Sequence, residues 1–213
     1  TDLVDWQAEG VKLEPSTKYD SHGVYSGTAL PIGEELLLAY TGNVRDRDWN
    51  RFSYQMGALM NTQNQITKIE QPLIPAPPEG YTDHFRDPQV IPYQGGYLLI
   101  IGAQTVQEEG KVLVYQGDTY TNWQLLGELD YMPAQAGYMV ECPNLVFIKE
   151  QPVLIFCPQG MAKEDFAYQN IYPNTFVVGE QFDVNNVTLT NPQPIQNLDE
   201  GFDLYASQVI NAP

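Results

Sequence analysis

Two charged residues stand where an apolar strand should begin. In "TDHFRDPQV", Arg86 and Asp87 precede Pro88, between a turn and an apolar run. About fifty residues later, "MVECPNLVF" puts Glu141 in the same kind of place. Convergent carboxylates suit a reaction whose transition state is cationic, such as cleavage of a glycosidic bond. One carboxylic acid protonates the leaving oxygen and another stays ionised. On local sequence alone, Asp87 beside Arg86 is the group expected to stay charged. Glu141, between Val140 and Cys142, is the group expected to hold a proton. The plain alternatives are a surface ion pair in a loop and a solvated glutamate ahead of a strand.

The elements that must position these groups repeat along the chain. "YSGTALPIGEELLLAYTG", "FRDPQVIPYQGGYLLIIGA" and "VECPNLVFIKEQPVLIFCP" each open on a small or polar signature, run apolar, turn, and run apolar again. The turns are expected at Ile32-Gly33-Glu34, at Gly95-Gly96 in a type I′ geometry, and near Glu150 to Pro152. "FDLYASQVI" opens the same way. Matching Gly27, Asp87, Cys142 and Ala206 gives steps of about 60, 55 and 64 residues. An offset pair, "DLVDWQAEG" and "TYTNWQLLG", places Trp6 and Trp123 in the outer strand of a unit. A unit of this length holds about four short strands, and four-stranded sheets repeated in sequence mark a β-propeller; the alternative is a β-sandwich with coincidental spacing.

The fold class expected is therefore all-β, an incomplete propeller. The approximate units are 1–20 (end of a first blade), 21–80, 81–135, 136–198, and 199–213 (start of a further blade), within one partial domain spanning 1–213. Thr1 opens the chain on an outer strand, so a fragment of a longer protein is expected, or a chain completed by self-association through open edges. "PLIPAPPEG" (72–80) reads as a rigid connection between blades.

In a propeller the starts of equivalent inner strands face one funnel. Arg86-Asp87, Glu141, Tyr25-Ser26 and Tyr205 hold such positions. His22 and His84 read as surface turn histidines, with a donor role near the funnel as the alternative. Trp49 in a charged loop is weighed as a platform for a sugar face. Cys142 is weighed as a small buried hydrophobe or a neighbour that tunes Glu141.

Composition narrows the partners. A formal charge of −17 repels phosphate backbones, so nucleic acid is not expected. No segment approaches the ~20 apolar residues of a membrane span, so no membrane partner is expected. Two cysteines in a chain of 213 residues read as unpaired thiols of a reducing compartment, the cytoplasm. No CxxC or HExxH spacing points to a metal, and no cofactor is expected.

At these residues the sequence resembles glycoside hydrolase family 32, the β-fructofuranosidases. The family is known by an Arg-Asp-Pro motif (Arg86-Asp87-Pro88), a Glu-Cys motif (Glu141-Cys142) and a Phe-Ser-Gly-Ser type motif (Tyr25-Ser26-Gly27-Thr28). "AYTGNVRD" (39–46) and "LDEGFDLYASQ" (198–208) look like further family segments, and the nearest look is to the bacterial sucrose-6-phosphate hydrolases and sucrases. The resemblance implies a five-bladed propeller followed by a β-sandwich, of which this chain lacks the sandwich and part of the propeller. It implies a retaining mechanism on fructosides such as sucrose or sucrose 6-phosphate. Glu141 would be the acid/base and Asp87 the transition-state stabiliser. Arg86, Tyr25 and Ser26 would contact the fructosyl unit, with Asp203 and Tyr205 as weaker candidates. The family's nucleophile sits in an Asn-Asp-Pro type motif, which these residues do not contain. The competing readings are a non-catalytic sugar-binding propeller and a purely structural arc.

Overall fold

The computed structural model describes residues 4–131, 136–162 and 170–210. Within them the chain is all strand and turn, with no helix. The first sheet has the order β1 (Val24–Ile32), β2 (Glu35–Arg45), β3 (Arg51–Met60), β4 (Ile66–Lys68). The second follows as β5 (Tyr81–Tyr93), β6 (Gly96–Thr105), β7 (Gly110–Thr119) and β8 (Asn122–Glu128). The third is built from β9 (Met139–Ile148), β10 (Gln151–Gln159) and β11 (Thr175–Val178). Two short strands, β12 (Gln181–Asp183) and β13 (Thr188–Thr190), form a separate hairpin before β14 (Gln196–Asn197) completes the third sheet beside β11. All named ladders are antiparallel.

The sheets stack face to face on apolar side chains. The central strand β6 shows how. Leu98, Leu99, Ile100, Ile101 and Ala103 are all fully buried. Side chains alternate across a strand, so Leu98 and Ile100 enter one core with Val140, Leu145 and Phe156 of the third sheet. Leu99, Ile101 and Ala103 enter another with Leu37 and Ala39 of the first. A continuous apolar run is what a strand covered on both faces requires. Gly102 lies where the backbones come closest. A Cβ there would stand 2.0 Å from the carbonyl oxygen of Val140.

The leading strands β1, β5 and β9 pack against one another, and each carries a bulge near its start. In β1 the register slips between Tyr25 and Gly27, and in β5 between Arg86 and Gln89. In β9 the slip falls opposite Ile155 and Cys157, at Cys142-Pro143. The extra residue re-aims the side chains beside it. Asp87 and Cys142, at φ 67° and 47°, each precede a proline, and Ala206 takes φ 56°. The residue equivalent to Asp87 in β1 is thus Ser26 rather than Gly27. Two positions beyond each bulge, a polar side chain clips the next leading segment. Thr28 Oγ1 accepts from the Val90 amide at 3.1 Å, Gln89 Oε1 from the Leu145 amide at 2.7 Å, and Asn144 Oδ1 from the Val209 amide at 3.1 Å. Gln208 Nε2 donates to the Gly27 carbonyl at 2.6 Å, joining the last segment to the first sheet.

Several local expectations shift. The hairpin after β5 turns on Gln94-Gly95, both at positive φ, instead of Gly95-Gly96; Gly96 is a ladder residue opposite Tyr93. The hairpin after β9 turns on Lys149-Glu150, again both at positive φ, and Pro152 lies inside β10 opposite Phe147. Trp123 lies in the outer strand β8, but Trp6 lies in no strand and is 81% exposed. The four places in the following sheet are filled from residues 24–68. The segment 204–210 forms no strand either. Its bonds to β9 and β1 are clips and not a ladder. The 72–80 stretch does connect two sheets, and it also plugs the core. Leu73 and Ile74 are buried, and Ile74 exchanges backbone hydrogen bonds with Gln55.

Candidate active site

The bulged ends of the leading strands enclose a cleft of about 580 Å³. It is lined by Tyr25 and Ser26 from β1, Arg51 from β3, His84, Arg86 and Asp87 from β5, Glu141 and Cys142 from β9, Gln159 from β10, and Tyr205. A cleft of about 780 Å³ opens elsewhere, between Glu109 and Ala162. Its cation, Lys111, is already matched by Glu109 at 3.1 Å and Glu128 at 3.5 Å. The smaller cleft is the one where acid, base and cation converge.

Glu141 is the hub. Its Oε1 accepts from Arg86 Nη2 at 2.7 Å and Nε at 2.9 Å. Its Oε2 accepts from Gln159 Nε2 at 2.8 Å and from the Tyr205 hydroxyl. Desolvation and this carboxylate raise the Tyr205 phenol far above its ordinary range. The plain alternative of a surface pair between Arg86 and Asp87 is not what forms: Arg86 is buried and pairs with Glu141. Arg86 sends its guanidinium to Glu141 of β9, and the bulge that follows Arg86 turns Asp87 to the neighbouring Cys142 amide instead.

Asp87 is buried instead, 6% exposed. Its amide donates to Thr41 Oγ1 at 2.9 Å, and Thr41 donates in turn to Gln55. Its Oδ2 accepts from the Cys142 amide at 2.9 Å and the Cys142 thiol at 3.5 Å. Burial outweighs these bonds and the charge of Arg86, and lifts the Asp87 carboxyl to about 6. Arg86 does favour the charged form of Asp87, as its place in the sequence suggests, but burial is the larger effect. Burial first, then the Asp87 charge, pushes the Cys142 thiol well up, so Cys142 acts as a neutral donor to Asp87. Both cysteines are free and buried.

His84 is not a surface turn residue. It lies half-buried in β5, and its Nδ1 meets Arg86 Nη1 at 3.0 Å and Arg51 Nη1 at 3.3 Å. A guanidinium only donates, so Nδ1 accepts and the neutral ring carries its proton on Nε2. Burial, then the two guanidiniums, push His84 down to about 4. His22 is exposed and lies edge-on to Trp49, with ring centroids 6.0 Å apart. Trp49 is 67% exposed.

The structure brings Tyr25, Ser26, Arg86, Asp87, Glu141 and Tyr205 into one cleft and leaves Asp203 exposed outside its lining. Sequence reasoning missed Arg51 and Gln159, which carry no motif. Gln159 stands beside Glu141 only because Cys157 pairs with Glu141 across the β9–β10 ladder, two residues away.

Comparison with known proteins follows the same lines. A family model described as the glycosyl hydrolases family 32 N-terminal domain matches residues 1–213. A sucrose-6-phosphate hydrolase of Pediococcus pentosaceus is 54% identical over 212 residues, covering 99% of this chain and 42% of that protein. The solved structure of a sucrose-6-phosphate hydrolase from Lactobacillus gasseri superposes with a TM-score of 0.90 at 45% identity, covering 96% of this chain and 42% of that one. A Bombyx mori family 32 β-fructofuranosidase gives 0.79 at 29% identity, over 89% and 40%. The chain spans less than half the length of these relatives.

Proposed function

The chain belongs to the glycosyl hydrolase family 32 N-terminal domain family, and from that premise we propose that it forms the part of a retaining β-fructofuranosidase that supplies the acid/base and the transition-state stabiliser. Its three four-stranded sheets are read as successive blades of a five-bladed propeller, in units close to 21–80, 81–135 and 136–198. The observation that carries the reading is the four-point grip on Glu141, in the cleft it shares with buried Asp87.

The grip fixes where the Glu141 carboxyl points. Arg86 occupies Oε1 from one side, so a proton for the leaving oxygen resides on Oε2. Tyr205 serves both states, since its hydroxyl donates to the carboxylate and accepts from the acid. Positioning of this kind is what a general acid requires. Asp87 suits the other task. A carboxyl raised by burial is one whose charge is under-compensated. A sugar ring that gains positive charge beside it supplies the missing counter-charge in the transition state only. Arg86, Tyr25, Ser26 and Tyr205 border the space for the fructosyl unit.

The substrate proposed is a fructoside of the sucrose type, with sucrose 6-phosphate and sucrose as candidates. Relatives that match nearly all of this chain are sucrose-6-phosphate hydrolases. The 213 residues contain no Asn-Asp-Pro segment, and by themselves they are not expected to turn over sucrose. A cytoplasmic location belongs to the same proposal and rests on the two free thiols.

The test is Glu141→Gln in the complete translated product of the reading frame. Turnover of sucrose 6-phosphate and sucrose should fall at least about a thousandfold, with fructoside binding by calorimetry retained. Unchanged turnover removes Glu141 from its role. Binding without any turnover in the unsubstituted protein favours the non-catalytic sugar-binding reading.

A further inference from the structure

His84 has one ring nitrogen engaged twice and the other not at all. Nδ1 is the acceptor shared by Arg86 Nη1 at 3.0 Å and Arg51 Nη1 at 3.3 Å, two cations that arrive from different sheets. Both guanidiniums only donate, so the ring proton stays on Nε2. Among the described residues no hydrogen bond reaches that Nε2. It is not sealed in the core either. Among the described residues the one buried side-chain nitrogen or oxygen without a partner is Asn43 Oδ1. His84 lines the cleft, so its Nε2–H opens there.

A second proton on the ring would remove the lone pair that both arginines use. It would also set a third positive charge between them. Arg86, Arg51 and Arg45 disfavour the charged ring and Glu141 favours it, while Asp83 and Tyr25 act on Arg51. Burial, with the arginines, prevails and holds His84 at about 4. The strand fixes where the ring stands. The His84 amide donates to Thr82 Oγ1 at 3.1 Å, Thr82 donates to Gln104, and Gln104 donates to the Tyr138 carbonyl. His84 and Arg86, two apart on β5, share a face. Burial falls along β5 from Asp87 and Arg86 to half-buried His84. His84 is thus one step nearer the mouth than the guanidinium that holds Glu141.

We propose that the His84 Nε2–H donates a hydrogen bond to a hydroxyl oxygen of the leaving sugar, which makes His84 a specificity-determining residue for the sugar that departs. The inference rests on the proposed function of the cleft, with the fructosyl unit against Asp87 and Glu141. The bond to be cleaved lies at Glu141, so the leaving sugar extends from there toward the mouth, where His84 stands. A donor with no other partner favours a leaving group that carries an acceptor and penalises one that leaves the N–H bare.

The experiment compares kcat/KM on the complete translated product for sucrose and for methyl β-D-fructofuranoside, whose leaving group brings no further hydroxyl. His84→Gln offers the arginines an oxygen and keeps an N–H donor, whereas His84→Glu offers the oxygen alone. His84→Glu should lower the ratio of the two values roughly 5- to 30-fold, and His84→Gln should hold it within about threefold. A ratio that His84→Glu leaves unchanged overturns the proposal, and a joint fall on both substrates would make His84 a support for Arg86 alone. A ratio lost equally in both variants overturns it too. Imidazole 15N shifts of His84, read in Glu141→Gln so that the sugar persists, decide the point even where the His84 variants do not fold. The Nε2–H tautomer should hold from roughly pH 5 to 8, and sucrose should move the Nε2 resonance more than methyl β-D-fructofuranoside does. An Nδ1–H tautomer, a ring that titrates in that range, or equal shifts with the two sugars overturns the proposal. If the unsubstituted protein turns over no fructoside, the proposed function fails. The 15N titration with sucrose still decides on the His84 contact.

Discussion

Replacing Asp87 by Asn should make the protein more stable and far less active, and the gain should depend on pH. The carboxyl sits at about 6 instead of 3.8, with burial as the cause. A raised carboxyl contributes stability that is complete below its unfolded value and is lost as pH rises through the folded one. About two pKa units at 1.36 kcal/mol each give a cost of about 3 kcal/mol for carrying the charge at pH 8, and about half that at pH 5. Asn keeps an oxygen to accept from the Cys142 amide, while the Asp87 amide bond to Thr41 involves only the backbone. The variant should therefore recover most of the cost. Denaturant unfolding of both proteins at pH 5 and pH 8 reads the difference, and initial rates on sucrose 6-phosphate read the loss of activity. A variant less stable than the parent at pH 8 would refute the reasoning. So would a gain that is the same at both pH values, because the charge would then not be its source.

Two further substitutions test the frame around the site. Gly102→Ala puts a Cβ 2.0 Å from the Val140 carbonyl oxygen, between strands that cannot separate without opening two cores. It should cost about 3 kcal/mol or more in denaturant midpoint, and a near-neutral result would deny the close approach of β6 and β9. Thr41→Val keeps the shape but removes the acceptor for the buried Asp87 amide. A loss of about 1–3 kcal/mol with a fall in kcat is expected, and Thr41→Ser should restore both.

What was legible in the chain followed from period and punctuation. "GYLLIIGA" announces a strand covered on both faces, and β6 is one. The Arg-Asp-Pro and Glu-Cys-Pro tripeptides mark bulges, because proline has no amide to give the ladder. Their kinship across β5 and β9 could be read from spacing. The partners of the charges could not. Arg86 and Asp87 are adjacent in sequence, but one reaches Glu141 over 55 positions and the other the Cys142 amide over the same span. Such pairings depend on which leading strands touch, and no local pattern reports that. His84 was misplaced for the same reason, since a lone histidine two residues before Arg86 looks like loop until Arg51 arrives from another sheet. The turns missed by one residue, because Gln94, Lys149 and Glu150 take a left-handed conformation that glycine would be expected to fill.

The clips beyond the bulges act as gauges. Where two leading strands have no shared ladder, one side chain beyond each bulge spans the gap to a backbone amide: a threonine between β1 and β5, a glutamine between β5 and β9, an asparagine between β9 and the segment after it. A ladder imposes one spacing on every pair of strands it joins, whereas these three spacers differ in length by up to two carbon atoms. These spacers are not among the residues that line the cleft, so they brace its strands from outside it. Evolution or a designer can widen one sector of the mouth for a larger sugar by exchanging a spacer while leaving the strands, the bulges and the carboxylates as they are.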